Sequence, residues 1–144
     1  MEKNILALDL GKGSLGIAIS RSGLFVTPLE NLRFHAGDYN EALAGLKRVV
    51  QNETIERIVI GWPLYPSGDP CEMTPLVERF IKEQLEPAFP NTPIIKVDER
   101  NTTVEASNLL HEAGKSAKRQ KAGIDSAAAS VILRRYLALI GQMD

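Results

Sequence analysis

A chain of 144 residues, 44% hydrophobic and 24% charged, has the size and make-up of one folded domain, residues 1–144, able to bury a real core. Its formal net charge of −1 provides no global field for a polyanion, so any attraction to nucleic acid must come from a local patch. The one cysteine, Cys71, excludes an internal disulfide and a cysteine-rich zinc site, and no apolar stretch approaches membrane-spanning length.

Met1-Glu2-Lys3-Asn4 leads directly into an apolar run with no secretory pattern, so a cytoplasmic location without membrane contact is expected. Asn4–Asp9 reads as a first strand, Asp9 closing the run Ile5-Leu6-Ala7-Leu8. The turn Gly11-Lys12-Gly13-Ser14-Leu15-Gly16 then spells G-x-G-x-x-G. In a dinucleotide-binding protein that motif must open a helix, whose N-terminus holds the pyrophosphate. Here it opens Ile17-Ala18-Ile19-Ser20, which alternates and is β-branched, so a second strand over Leu15–Ser20 is predicted instead. The turn is short enough for a hairpin with glycines at positive φ. After Ser22-Gly23, a third strand is expected over roughly Leu24–Leu32, completing an antiparallel meander.

Asp38, with Glu41 three residues on, can cap a helix whose apolar stripe is Leu43, Leu46, Val49 and Val50. Arg57–Gly61 reads as a short buried strand, and Trp62–Cys71, with three prolines, as irregular loop. Thr74-Pro75 predicts a helix start, with a capping hydroxyl and proline at the first helical position. Val77, Phe80, Ile81 and Leu85 would form its buried side, and Pro87 and Pro90 would end it. Ile94–Val97 is a further strand closing on Asp98-Glu99-Arg100. Thr102 and Glu105 form a capping box for a helix carrying Ala106, Leu109, Leu110 and Ala113 and stopped by Gly114. A basic stretch, Lys115–Lys121, precedes a final helix from about Asp125 to Ile140.

Three leading strands, then strands alternating with helices, predict an α/β fold. The first three strands are antiparallel, the later ones parallel, and helices cover both faces. This order is the ribonuclease H-like arrangement. The first connections are too short for the crossovers of a fully parallel sheet.

Ligands collect at the carboxyl ends of strands in such sheets, where Asp9 stands and where Asp98 and Glu99 follow the last strand. If those two strands are neighbours, their terminal acids come together. Asp98 and Glu99 cannot both face one site, because successive strand residues alternate. Glu99 shares the parity of Ile95 and Val97 and is preferred, with Asp98 left open. Asp125 has Ala128, Ala129, Ile132 and Tyr136 as its helical neighbours, a stripe that packs on the sheet. A carboxylate there must pair or bind metal, or else serve only as a first-turn acid.

Asp9, Glu99 and Asp125, with no histidine or cysteine cluster, describe a site for hard cations, Mg²⁺ or Mn²⁺. Two such ions about 4 Å apart can activate water and stabilise the leaving oxygen of a phosphodiester. His35 and His111 stand outside this set. The basic run, Lys118, Arg119 and Lys121 included, could hold a nucleic-acid backbone or be a solvated loop, and Lys12 and Arg100 could contribute. Trp62 and Tyr65 could stack on bases or close the core beneath their loop.

Leu8-Asp9-Leu10-Gly11 with Gly16-Ile17-Ala18, then Ile60-Gly61-Trp62-Pro63-Leu64, Asp98-Glu99-Arg100-Asn101-Thr102-Thr103-Val104-Glu105-Ala106 and Ile124-Asp125-Ser126-Ala127-Ala128, together resemble the YqgF/RuvX family. These are bacterial RuvC-like nucleases of ribonuclease H fold. The resemblance spans nearly the whole chain in order. It implies a nuclease maturing the 5′ end of pre-16S ribosomal RNA, with Holliday-junction resolution as the older assignment. It places Asp9, Glu99 and Asp125 on the family's acidic triad, and Arg100 and the basic run on its substrate contacts. Ser14 stands where that family usually has arginine, Arg21 where an acid is common, and Gly68-Asp69-Pro70-Cys71 where it has G-T-x-G. A branched-DNA endonuclease and a non-catalytic RNA-binding assembly factor remain alternatives, as monomer or homodimer.

Overall fold

The run Ile5-Leu6-Ala7-Leu8 is buried on both of its alternating faces, the mark of a central strand. In the computed structural model, residues 4–21, 23, 25–98 and 117–141 are described, the last stretch with side chains from residue 128 onward. Strand β1 (Ile5–Leu10) lies at the centre of a five-stranded sheet with β2 (Ser14–Ser20), β3 (Thr27–Arg33), β4 (Arg57–Trp62) and β5 (Ile94–Asp98), in the order β3-β2-β1-β4-β5. β1 pairs antiparallel with β2 and β2 with β3, whereas β4 is parallel to both β1 and β5. The mixed sheet is the one expected from the chain order.

Each face has its own core. Leu6, Leu8, Ile17, Leu32, Ile58 and Ile60 pack with Leu46 of helix α1 (Tyr39–Val49) and Val77 and Phe80 of helix α2, which begins at Thr74–Phe80. Ile5, Ala7, Ala18, Val59 and Val97 pack with Ala129, Ile132, Leu133, Tyr136 and Leu137 of helix α3 (Ala117–Leu139). Helices therefore cover both faces, as the strand–helix alternation predicts.

Several local expectations are corrected. β3 starts at Thr27, not Leu24, and Phe25 is 75% exposed. β3 is an edge strand, which is why it tolerates Pro28, and its pairing with β2 shifts register between Ile17 and Ala18. The glycines of the β1–β2 turn do not take positive φ: among the described glycines only Gly23, Gly37, Gly68 and Gly141 do. Gly13 allows a close approach, since a Cβ there would lie a tight 3.2 Å from the carbonyl oxygen of Phe34. The β1 and β5 strands are not neighbours, because β4 lies between them. α3 begins well before Asp125 and includes part of the basic stretch. The helix expected over Thr102–Ala113 lies outside the described residues.

Asp38 caps α1 as expected, accepting from the Glu41 N–H at 3.0 Å. Glu41 does not return to the cap. Its Oε1 accepts instead from the backbone N–H of His35 at 2.8 Å. Thr74 starts α2 at the predicted place for a different reason. Its buried hydroxyl accepts from the Cys71 N–H at 2.8 Å and donates to the Pro63 carbonyl at 2.6 Å, tying the loop after β4 to the helix. That loop is itself ordered by a bridge between Leu64 and Pro70, with Gly68 at φ +94°.

Pro87 does not end α2. The helix continues through a π-turn, Ile81–Leu85, into a closing turn, Glu86–Ala88, and the Glu86 N–H bonds five residues back to Ile81. A widened turn just ahead of a proline accommodates the ring and the missing N–H that would break an α ladder. Thr74→Val is expected to destabilise the fold by about 1–3 kcal/mol, since it strands a buried carbonyl and an N–H. Urea unfolding measures it, and an unchanged midpoint would show that the clamp contributes nothing.

Candidate active site

β1 runs one residue past Asp9, which pairs across the hairpin with Gly16. On the other side, the parallel register Leu8↔Ile60, carried one residue further, sets Gly61 beside it. Asp9 follows Ile5 and Ala7 in alternation, so it belongs to the face covered by α3. A half-buried carboxylate thus stands at the strand's end between two positions that carry no side chain. Gly61 pairs in turn with Val97 of β5 on the same face.

The helix that covers this face, α3, carries position 125 in its backbone. Position 125 is four residues before Ala129, which is fully buried on the sheet-facing stripe with Ile132, Leu133 and Tyr136. Tyr136 meets Arg57 at the start of β4 by a hydroxyl–guanidinium hydrogen bond and a ring contact. Arg135 donates to the Asp98 carbonyl at 2.9 Å. The described structure covers α3 at positions 118, 119, 121 and 125 as helix backbone only. Glu99, Arg100 and His111 lie outside the described residues. Of the three acids singled out in the sequence, Asp9 alone has a described side chain, and among the described residues no three acids, histidines or cysteines cluster.

Asp98 shares its parity with Lys96, whose ammonium reaches Glu78 of α2 at 2.7 Å. That is the face opposite Asp9. Trp62 is the last residue of β4, packs partly buried against the α1–α2 core, and carries the Lys96 ammonium 4.1 Å from its ring centroid. It closes the core, whereas Tyr65 is 54% exposed. Lys12 is ion-paired with Glu72 across two loops, both side chains exposed. The hydrogen bond and charge of Glu72 raise the Lys12 pKa, and Lys12 lowers that of Glu72.

Sequence reasoning passed over the loop after β3. Its backbone is stitched to the turn after Asp9, the Phe34 N–H reaching the Gly13 carbonyl at 3.1 Å and the Gly37 N–H the Lys12 carbonyl at 2.9 Å. His35 Nδ1 lies 2.9 Å from Glu41 Oε1. The only sequence signal was Glu41 itself, whose spacing from Asp38 suggested a helix cap and not a histidine partner.

A mixed five-stranded sheet of this order, antiparallel over its first three strands and parallel over the rest, with helices on both faces, defines an α/β domain of ribonuclease H-like fold. Its backbone superposes on that of "T. thermophilus RuvC in complex with Holliday junction substrate" with a TM-score of 0.61 at 16% identity, covering 97% of each chain. A second structure, "Thermus thermophilus RuvC structure", matches with a TM-score of 0.56 at 16% identity over 96% of this chain and 97% of that one. Residues 3–139 match the family model described as RuvX: Holliday junction resolvase, and the chain belongs to that family. A relative in Chlorobium luteolum, named "Putative pre-16S rRNA nuclease", is 37% identical over 92% of each chain. One of the same name in Mesoplasma florum is 32% identical over 95% of this chain and 97% of its own.

The His35–Glu41 pair gives a direct pH test. The hydrogen bond from Glu41, then its charge, raises the His35 pKa above its ordinary 6.5, with Asp38 adding to it. Hydrogen bonds from the His35 backbone and side chain lower Glu41 below its ordinary 4.5. The histidine's contribution is full below 6.5 and lost as pH rises through its raised value, whereas that of Glu41 is present above 4.5 and lost on acidification through its lowered value. The pair is therefore strongest between these limits. NMR titration should place His35 above 6.5 in the native protein and return it towards 6.5 in Glu41→Gln. Identical titration curves would remove the interaction.

Proposed function

We propose that this protein is a nuclease that hydrolyses phosphodiester bonds in the precursor of 16S ribosomal RNA, with Asp9, Glu99 and Asp125 as its acidic triad. The observation that carries the reading is Asp9, half-buried at the carboxyl end of the central strand and flanked by Gly16 and the Gly61 position on the face under α3. The relatives' shared name supports the substrate, and the family supports cleavage of nucleic acid.

Three carboxylates suit a hard dication such as Mg²⁺ or Mn²⁺, and the glycines beside Asp9 leave room for a hydrated ion to approach. When bound, such cations would supply Lewis acidity to phosphodiester hydrolysis. The chain's own residues do the holding. Asp9 would hold the ion from the sheet, Asp125 from α3, and Glu99 from the segment after β5, the assignment the sequence alternation prefers. Asp98, which shares the parity of Lys96, is the alternative to Glu99. Lys12, Arg100, Lys118, Arg119 and Lys121 would contact backbone phosphates. Lys12 would exchange Glu72 for a phosphate oxygen, at little cost for a solvent-exposed pair. The cytoplasm, where precursor ribosomal RNA is found, is the matching location.

The family's description as a Holliday junction resolvase favours a second reading, cleavage of branched DNA. That activity needs two active sites presented by a symmetric dimer, whereas single-strand RNA trimming can be done by a monomer. Incubation with precursor ribosomal RNA and with a four-way DNA junction, each with Mg²⁺ and with chelator, separates the two. Asp9→Asn should reduce cleavage to background while moving the thermal midpoint by no more than about 4 °C. Undiminished cleavage by the purified variant, or by the native protein in chelator, would overturn the mechanism.

A further inference from the structure

We propose that Arg33, assisted by His35, is a further phosphate-binding subsite of the same nucleic-acid surface, on the β3 flank of the sheet, away from β5 and the basic run. This rests on the nuclease reading above and extends its substrate path.

The register places Arg33 on the Asp9 face. Asp9 pairs with Gly16, and two residues back along β2, on the same face, Ser14 pairs with Arg33. Both intervening positions are small. Arg33 therefore stands two strands across and two residues further along from Asp9, about 12 Å by ordinary sheet spacings, with no bulky side chain of β2 between them. β1 and β3 both run antiparallel to β2, so their carboxyl ends share one edge of the sheet. The hydrogen bonds from Phe34 to Gly13 and from Gly37 to Lys12 lock this loop to the one after Asp9.

The subsite has suitable chemistry. Arg33 is exposed and has no ion-pair partner among the described residues, unlike Lys12, Arg21 and Lys96, which are held by Glu72, Glu53 and Glu78. Where β3 ends, it also borders an open cleft of about 280 Å³ with Phe34, His35 and Glu41, on the α1 side of this end of the sheet. Glu41 engages Nδ1 of His35, and the imidazolium this favours leaves Nε2–H as an outward donor. Glu41 is thereby offset, and the net positive charge of the cleft is that of Arg33. A guanidinium with an adjacent N–H donor is a fitting partner for a phosphate oxygen.

The test is equilibrium binding of fluorescein-labelled single-stranded RNA spanning the 5′ end of a 16S precursor, followed by anisotropy in chelator at pH 6 across a salt series. Arg33→Gln should weaken binding about 10-fold and lower the salt slope by about 0.7, the value for one phosphate contact on a single strand. His35→Gln should weaken it by a smaller factor. Arg48→Gln removes an exposed cation from the last turn of α1, towards the opposite end of that helix, and should change binding less than 2-fold. Equal affinities and slopes for Arg33→Gln and Arg48→Gln would overturn the subsite. If the native protein cleaves nothing yet Arg33→Gln still loses affinity selectively, the nuclease reading falls and the subsite stands.

Discussion

The alternation of side chains along β1 is the constraint on which the rest of the structure depends. Leu6 and Leu8 enter the core shared with α1 and α2, and Ile5 and Ala7 enter the one beneath α3. With a period of two, the residue after Leu8 must face α3, and that residue is Asp9. A slip of one residue would carry the carboxylate into the layer of Leu46 and Phe80, with no partner for its charge. The apolar cores thus fix the direction of the acid as firmly as they fix the register of the sheet.

Placing a carboxylate on a core-facing side is costly unless the surroundings relieve it. Relief comes from position and from small neighbours. Asp9 is the second-last residue of β1, and Gly16 and the Gly61 position leave its flanks open. The apolar stripe of α3 also changes along its length. It widens from Ala128 and Ala129 to Ile132 and Leu133, and then to Tyr136 and Leu137. Tyr136 is anchored by Arg57 at the start of β4, so the bulky end of the helix is tied down there and the stripe narrows towards residue 125. Small side chains at that end permit a closer approach of helix to sheet.

Much of this was legible in the sequence, and the reasons it was not complete are physical. Period-two patterning found β1, β2, β4 and β5 because buried strands write their environment into every residue. It misplaced the start of β3, because Leu24-Phe25-Val26 looks like a strand while Phe25 is solvent-exposed. Thr74 and Pro87 were read through local rules of capping and helix breaking. The hydroxyl is instead used by Pro63 and Cys71, and a π-turn absorbs the proline. The bond from Thr74 to Pro63 reaches eleven residues back, outside the window of a capping rule. Whether β1 and β5 are neighbours was left open by the sequence, and β4 lies between them, since strand order is a property of crossovers, not of periodicity. The side of the sheet that Asp9 faces could be read, because alternation alone decides it. The Lys12–Glu72 and His35–Glu41 pairs could not, since each joins separate elements or turns a capping residue to another use.

The same pairs explain how a chain of net charge −1 can serve a polyanionic substrate. Lys12, Arg21, His35 and Lys96 are each matched to a glutamate at the surface, so at these positions the positive charge is locally offset. Exposed pairs of this kind are worth about 0–1 kcal/mol, so a phosphate can replace the glutamate at small cost where the backbone already holds the cation in place. Lys12 is held in this way, its carbonyl bonded to Gly37 and its loop closed by the Gly11 N–H on the Ser14 carbonyl at 2.8 Å. A local patch of this kind can attract a polyanion without a strong overall charge and the indiscriminate binding it brings.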